Sequence, residues 1–348
     1  MAFTPMQTCL KVSWLAIFLL FFHVGRTQYD LTALDAKLQQ YQKPLGGSAA
    51  IMVFKDNKVA YSKAAGTNFL INTQAPVGRS GEWLTTALVM QFVDEGKISL
   101  DDKVSQYLPI FSDYSKGYIT IRQCLTHMTG IAAGANIPGI IKPNYSSLEE
   151  AVNKYVSKHD IQTNTGTEFR YSTIGIDIAG RVLEVVGKRS LEQLAQQKLF
   201  RPLGMRNTSY QVDFDKAGLP SSTLRSTAAD YLNFLGMLLN KGMFKDKRIL
   251  SEKAVDEMRK IQINTSLIKE APLACQGLTY ALGAWVLEDD GNGKATCLTN
   301  PGLYGIWPVV DFCRGYASVV FVKSPLKEQD KTIYMDIKST IDEQIPCR

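Results

Sequence analysis

The stretch from residue 77 to residue 104 limits the possible folds of this chain more than any other. Gly78 interrupts the segment before it, and Gly96 stands where a helix commonly ends on a glycine in the left-handed conformation. Between the two glycines, apolar residues recur at helical spacing: Trp83, Leu84, Ala87, Leu88, Met90 and Phe92. The pattern predicts a loop that leads directly into a helix.

The N-terminal region has the pattern of a secretory signal peptide. Lys11 precedes an apolar run at residues 12–24, which is shorter than the roughly 20 residues that span a bilayer. Small residues follow, so we predict that residues 1–27 are removed near the Thr27–Gln28 bond. The mature protein is then secreted, periplasmic or extracellular; an uncleaved N-terminal anchor is the alternative. No later stretch of the sequence is apolar for long enough to cross a membrane.

The distribution of charge argues against a nucleic-acid-binding protein. The chain carries 39 Lys and Arg residues against 33 Asp and Glu residues, a formal net charge of +6. These residues are scattered, whereas nucleic-acid binding needs a concentrated basic face. The 348 residues, 45% of them hydrophobic, are enough for a large core in one domain or two lobes.

Cysteines near the C-terminus indicate disulfide bonds in an oxidising compartment. Four cysteines lie in the last quarter of the chain: Cys275, Cys297, Cys313 and Cys347. They can form two disulfides, in three possible pairings. A zinc site is the competing interpretation, but no Cys-x-x-Cys pair and no nearby histidine supports it. The sequence therefore predicts no metal and no cofactor.

Segments at both ends of the mature chain have strand character, and a helix is predicted at residues 31–41. The predicted strands are residues 47–54 and 58–62, which flank an Asp56-Asn57 turn, and residues 278–287, 307–311 and 317–323. The Asp-Gly-rich run at 289–293 invites a calcium-loop interpretation, but it lacks the spaced oxygen ligands and the closing glutamate. We predict a hairpin turn there and a single sheet that joins both ends of the chain.

Several motifs follow one another along the chain. They are LDDKVSQYLP at 100–109, ITIRQCLTHMTGI at 119–131, GTEFRYST at 166–173, PLGMRNT at 202–208 and STAAD at 226–230. Together with the 77–104 segment, they resemble the serine β-lactamases and penicillin-binding proteins, in particular the class C β-lactamases and D-Ala-D-Ala carboxypeptidases. That family carries an apolar core residue at the position of Cys124, which predicts a buried thiol.

The resemblance implies an α/β (α+β) fold of the β-lactamase/transpeptidase type, an antiparallel sheet flanked by helices with an inserted helical lobe. One domain would cover residues 28–348, with the sheet lobe at about 28–75 and 270–348 and the helical lobe at about 76–269. The old active-site cleft would lie at the junction of the two lobes, where ligand pockets tend to form.

The catalytic groups implied by the resemblance are mostly replaced. The family's helix opens with Ser-x-x-Lys, the nucleophile and its activating lysine. Arg79 stands at the serine position and Glu82 at the lysine position. Tyr171 matches the family's tyrosine, but Thr173 replaces the asparagine of Tyr-x-Asn, and Asn300 stands at the His/Lys position. Arg79 cannot act as a nucleophile, because its guanidinium stays protonated.

Two interpretations of the replaced pair follow from its spacing. Arg79 and Glu82 lie three residues apart on one helix, which predicts an ion pair that fills the pocket. Alternatively, Arg79 binds the carboxylate of a ligand through paired hydrogen bonds.

Three functions remain open for such a chain. It can be a family member without hydrolase activity, an active hydrolase, esterase or D-Ala peptidase that uses Ser80, or a binding protein for a peptide or cell-wall-like ligand in the residual cleft. We favour the first, because Ser80 lies about 100° around the helix from Arg79. His127 is interpreted as a structural residue that caps a helix and packs in the core. The sequence does not indicate an oligomeric state.

Overall fold

The computed structural model describes residues 1–2, 29–133, 145–210, 219, 222–302, 305–324, 326–327 and 331–347; the predicted signal peptide, apart from Met1 and Ala2, lies outside the described residues. The strands are β1 (Ala49–Lys55), β2 (Lys58–Ala65), β3 (Ala75–Pro76), β4 (Phe169–Arg170), β5 (Arg225–Ser226), β6 (Met243–Phe244), β7 (Lys247–Arg248), β8 (Ile268–Glu270), β9 (Thr279–Tyr280), β10 (Trp285–Asp289), β11 (Ala295–Thr299), β12 (Trp307–Asp311) and β13 (Tyr316–Val322). The helices are α1 (Ala33–Tyr41), α2 (Gly81–Asp94), α3 (Ile110–Asp113), α4 (Ile121–Leu125), α5 (Leu148–Lys158), α6 (Ile174–Gly187), α7 (Leu191–Ala195), α8 (Ala228–Leu239), α9 (Glu252–Arg259) and α10 (Thr332–Gln344).

A seven-stranded antiparallel sheet joins strands from residues 49–65 with strands from residues 279–322, as the sequence predicts. Its strand order is β2-β1-β13-β12-β11-β10-β9, so the early hairpin pairs with the last strand. That hairpin turns at Asp56 and Asn57, both with positive φ, which suits a two-residue hairpin loop. The segment between β2 and β9 carries α2 to α9, and within it α6 packs against α2, α4 and α5.

Two helices cover opposite faces of the sheet. The hydroxyl of Tyr316 on β13 donates a hydrogen bond to Asp342 of α10 at 2.8 Å. The next residue, Ala317, pairs with Phe54, and the Phe54 ring lies against Gly236 of α8. Because successive side chains of a strand point to opposite faces, α10 and α8 enclose the sheet between them. Among the described residues, none of the helices is both long enough and apolar enough to span a membrane.

The C-terminal strands differ from the prediction in two places. The predicted strand at 278–287 is interrupted, because Gly283 between β9 and β10 has a φ of 75° and lies tightly against Thr86 of α2. β11 was missed by the sequence analysis. The run at 289–293 is the predicted hairpin turn, in which the carboxylates of Asp289 and Asp290 accept backbone N–H bonds.

Among the described residues, one disulfide forms where the sequence allowed two. Cys313 follows β12 and Cys347 follows α10, and their Cα atoms lie 5.0 Å apart. The bond ties the end of α10 to the β12–β13 turn. Cys275 and Cys297 are buried thiols, and Cys124 is a buried thiol as predicted.

A buried cluster of charges links α10 to the sheet. The ammonium of Lys338, only 2% exposed, contacts Glu288 at 2.7 Å, Asp342 at 2.6 Å and the fully buried Asp311 at 3.3 Å. Arg314 binds Glu288 and Asp311 from the other side. Burial alone would lower the pKa of Lys338, but the acidic groups around it raise that pKa above its ordinary value. The cluster is therefore an ionic anchor for the last helix.

Candidate functional site

The candidate site lies at the start of α2. A 3₁₀ turn at Gly78–Ser80 leads into α2, whose residues 81–92 are all buried. Gly78 and Gly96 both have positive φ, as expected of the two glycines that bound the predicted helix. The start of α2 contacts two residues that follow strands: Tyr171, which follows β4, and Asn300, which follows β11.

Arg79 and Glu82 form the predicted ion pair. Nη1 of Arg79 lies 2.8 Å from Oε1 of Glu82, and the side chains are 19% and 1% exposed. The guanidinium also lies over the ring of Tyr171, with 4.6 Å between its central carbon and the ring centroid. Arg79 is thus held on one edge by a carboxylate and on one face by an aromatic ring.

The second oxygen of Glu82 faces a cluster of polar aromatic groups. The hydroxyl of Tyr171 donates a hydrogen bond to Oε2 at 3.2 Å, and Nε2 of His127 lies 3.6 Å from the same oxygen. Nε2 of His127 is also 3.1 Å from the hydroxyl of Tyr280. The carboxylate therefore lies between a cation and a tyrosine donor.

Aromatic side chains pack together around this carboxylate. His127 lies 4.5 Å from Tyr171, and Tyr280 lies 4.9 Å from Trp285, between ring centroids. Phe169 contacts the rings of both His127 and Trp285. These rings fill the space beneath the ion pair and leave the carboxylate in an environment of low polarity.

Burial controls the protonation states at the site. It raises the pKa of Glu82 above its usual value, against the opposing effect of Arg79. Burial alone would lower the pKa of Arg79, but Glu82 and Tyr171 raise it. Burial and the nearby Arg79 charge lower the pKa of His127 to about 3, so this ring is neutral at physiological pH. Its low pKa makes His127 a weak proton acceptor, and both ring nitrogens already have partners: Nε2 the Tyr280 hydroxyl, and Nδ1 the backbone N–H of Ser172.

Asn300 and Ser80 lie behind the ion pair. The side-chain amide of Asn300, fully buried, donates to the backbone carbonyls of Gly283 at 3.2 Å and Arg79 at 3.4 Å. The Ser80 hydroxyl donates to the backbone carbonyl of Asn300 at 2.7 Å, and the Tyr231 hydroxyl donates to the backbone carbonyl of Ser80 at 2.8 Å. Both side chains thus connect α2 to the sheet.

The remaining predicted site residue, Thr173, precedes α6, and its side chain makes no capping hydrogen bond. Among the described residues, no hydrogen bond joins its side chain to Arg79 or Glu82. The structure therefore brings Arg79, Glu82 and Tyr171 together, with Asn300 behind them, and shows no hydrogen bond between Thr173 and this ion pair.

Three contributors to the site were missed by the sequence analysis. His127 packs in the core as predicted, but its ring also faces Glu82 because the residue has a positive φ of 54° beyond the end of α4. Tyr280 and Trp285 come from β9 and β10, far along the chain. No sequence signal marks these two residues, because the contacts of Tyr280 with His127 and of Trp285 with Tyr171 join parts of the chain that are far apart in sequence.

Protonation of His127 is expected to destabilise the protein in acid. Its folded-state pKa of about 3 lies below the ordinary value of 6.5, so its stabilising effect is complete above pH 6.5 and is lost as the pH falls toward 3. The loss is about 1.4 kcal/mol per pH unit in this window. Urea unfolding from pH 7 to pH 4 should show the advantage of wild type over His127→Gln shrinking at that rate; a constant difference would contradict the prediction. His159→Gln, which removes a histidine that does not contact Glu82, is the control.

A possible metal-ligating group lies elsewhere. Among the described residues, Glu288, Cys297 and Asp311 could together hold an ion. The ammonium of Lys338 already binds Glu288 and Asp311, so a protein cation occupies this cluster.

The chain belongs to the β-lactamase family. The family model described as Beta-lactamase matches residues 34–337. A Bacteroides dorei protein assigned as a β-lactamase is 28% identical, with a TM-score of 0.81 over 91% of this chain and 99% of that one. The octameric penicillin-binding protein homologue of Pyrococcus abyssi, at 19% identity and a TM-score of 0.73, covers 91% of this chain and 79% of its own. The fold is therefore of the β-lactamase/transpeptidase type, as the motifs predict.

Two further relatives and one further solved structure are similar to this chain. Protein Rv1367c of Mycobacterium tuberculosis is 26% identical over an alignment 284 residues long, with 64% of this chain and 71% of that protein covered. Protein flp of Staphylococcus aureus is 24% identical over 52% of this chain but only 37% of its own length. EstCE1, a hydrolase with promiscuous acyltransferase activity, has a TM-score of 0.75 at 21% identity over 89% of this chain and 99% of its own. These similarities establish the family and the fold.

Proposed function

We propose that this protein is a secreted member of the β-lactamase family without hydrolase activity. The observation that carries the proposal is the buried Arg79–Glu82 ion pair, which by motif alignment takes the places of the nucleophilic serine and its lysine. Acyl transfer in this family needs a serine activated by a neighbouring base. A protonated guanidinium supplies neither the nucleophile nor the base.

The geometry of Ser80 argues against its use as a replacement nucleophile. The residue is fully buried, and its hydroxyl donates to the backbone carbonyl of Asn300 at 2.7 Å. A nucleophilic serine must instead give its proton to a base within hydrogen-bond reach. Among the described residues, no basic side chain is hydrogen-bonded to this hydroxyl.

Secretion is proposed from the N-terminal apolar pattern and from the cysteines. The predicted cleavage after Thr27 lies outside the described residues. The Cys313–Cys347 bond supports an oxidising compartment, because disulfides persist there and are rare in the cytosol. N-terminal sequencing of protein recovered from the medium of a eukaryotic or bacterial host should begin near Gln28; an intact N-terminus would contradict cleavage.

Intact-protein mass spectrometry tests the loss of activity. Folded wild-type protein exposed to penicillin and to a fluorophosphonate is expected to gain no mass. An adduct that disappears in Ser80→Ala would overturn the proposal and establish Ser80 as the nucleophile. The double variant R79S/E82K puts back the two groups that the family uses. Its labelling, with wild type unlabelled, would show that these two replacements alone removed the chemistry.

A further inference from the structure

The guanidinium of Arg79 uses only part of its hydrogen-bonding capacity. Its Nη1 donates to Glu82 at 2.8 Å, and no hydrogen bond to Nε or Nη2 occurs among the residues that the structure describes. The side chain is 19% exposed, whereas the Glu82 side chain beneath it is 1% exposed. The Nη1 end of the guanidinium is therefore paired, and the Nε–Nη2 edge has no hydrogen-bond acceptor among the described residues.

The orientation of that edge is set by two independent contacts. The Glu82 carboxylate holds Nη1, and the ring of Tyr171 lies 4.6 Å from the guanidinium carbon. Tyr171 is itself fixed by its hydrogen bond to Oε2 of Glu82. An arginine held in this way loses little conformational freedom when it binds a ligand, because its rotamer is already chosen.

The two N–H groups of the Nε–Nη2 edge determine which class of ligand can bind there. Nε and Nη2 of an arginine present two parallel N–H groups, which match the two oxygens of a carboxylate in a bidentate pair. Glu82 already balances the charge of Arg79, and the buried carboxylate of Asp177 adds negative potential nearby. Multiply charged anions such as phosphate are therefore disfavoured, and recognition depends on the shape of a single carboxylate.

We propose that the Nε–Nη2 edge of Arg79 is a binding site for the carboxylate of a small monoanionic ligand. The inference rests on the proposed function, since it assigns a binding role to a position from which the acylation chemistry has been lost. The buried half of the ion pair supports the arginine, and the outer half contacts the ligand.

Titration of the wild-type protein with benzoate tests the site directly. In a ¹H–¹⁵N spectrum of the arginine side chains, the Nε–H signal of Arg79, assigned by its absence from Arg79→Lys, should shift and saturate. Benzamide, which has the same ring without the charge, and inorganic phosphate should leave the signal in place. An equal response to benzamide, or no response to benzoate, would overturn the inference.

A variant separates the effect of the paired N–H donors of Arg79 from the effect of its positive charge. Arg79→Lys keeps the positive charge but loses the paired donors, so we expect benzoate, followed by calorimetry, to bind about ten-fold or more weakly. If Arg79→Lys does not fold, the titrations of the wild-type protein decide: no response to benzoate, or an equal response to benzamide, would contradict the site.

The two proposals fail in different ways. An acyl adduct on Ser80 would overturn the loss of hydrolase activity. The absence of an adduct together with the absence of benzoate binding would overturn the carboxylate site alone.

Discussion

Replacing Glu82 with alanine is expected to destabilise the protein by about 3–5 kcal/mol, because it leaves a mostly buried guanidinium without its partner. The Tyr171 hydroxyl also loses its acceptor, and the Arg79 Nη1 bond of 2.8 Å is gone. Urea unfolding at pH 7, analysed by linear extrapolation, measures the change. A stability within about 0.5 kcal/mol of wild type would contradict a tightly coupled pair.

A double variant separates the effect of the two charges from the effect of packing. The variant R79M/E82L removes both charges and keeps most of the apolar volume, so it should be far less destabilised than Glu82→Ala. The comparison is between a variant with one unpaired buried charge, Glu82→Ala, and a variant with none. If the double variant were as unstable as the single one, loss of packing around α2 would explain the effect better than loss of the ion pair.

Replacing Lys338 with alanine is expected to cost a similar amount, about 3–5 kcal/mol. The ammonium is 2% exposed and contacts three carboxylates, of which Asp311 is fully buried. Its removal leaves these negative charges with Arg314 as their remaining partner. Urea unfolding again gives the measurement, and a loss below about 1 kcal/mol would mean that Arg314 or solvent replaces the ammonium.

A matched control is a lysine of α1 that pairs with the same helix, α10. Lys37 pairs with Asp336 of α10 at 2.6 Å, but both side chains are substantially exposed. Lys37→Ala should therefore cost no more than about 1 kcal/mol. A difference of several kcal/mol between the two lysine variants would establish burial, not the mere presence of an ion pair, as the source of stability.

Much of the fold could be predicted from local pattern. The helix at the start of the candidate site, the hairpin around Asp56 and Asn57 and the strand at residues 307–311 all appear where the sequence predicts them. Each depends on neighbours within a few residues: apolar spacing, a turn sequence or a bounding glycine. The interruption at Gly283 was not predicted, because it arises from contact with Thr86 of α2, nearly two hundred residues earlier.

The pairing of the cysteines could not be predicted from local pattern either. Cys313 and Cys347 are 34 residues apart and are joined because α10 packs back across the sheet. Cys297 is only 16 residues from Cys313, yet it is fully buried and faces the Lys338 cluster instead. Composition can count cysteines, but only the packing of α10 selects the partners.

The sequence by itself determined the family, the replaced catalytic pair and the ion pair between Arg79 and Glu82. These features depend on motif identity and on a spacing of three residues along one helix, which local geometry converts into contact. Only the tertiary structure decided that Glu82 also faces Tyr171 and His127, and that Ser80 is buried and bonded to the backbone of Asn300. Contacts between residues distant in the chain depend on how α2, the sheet and the β4 region pack together, and no local pattern encodes that packing.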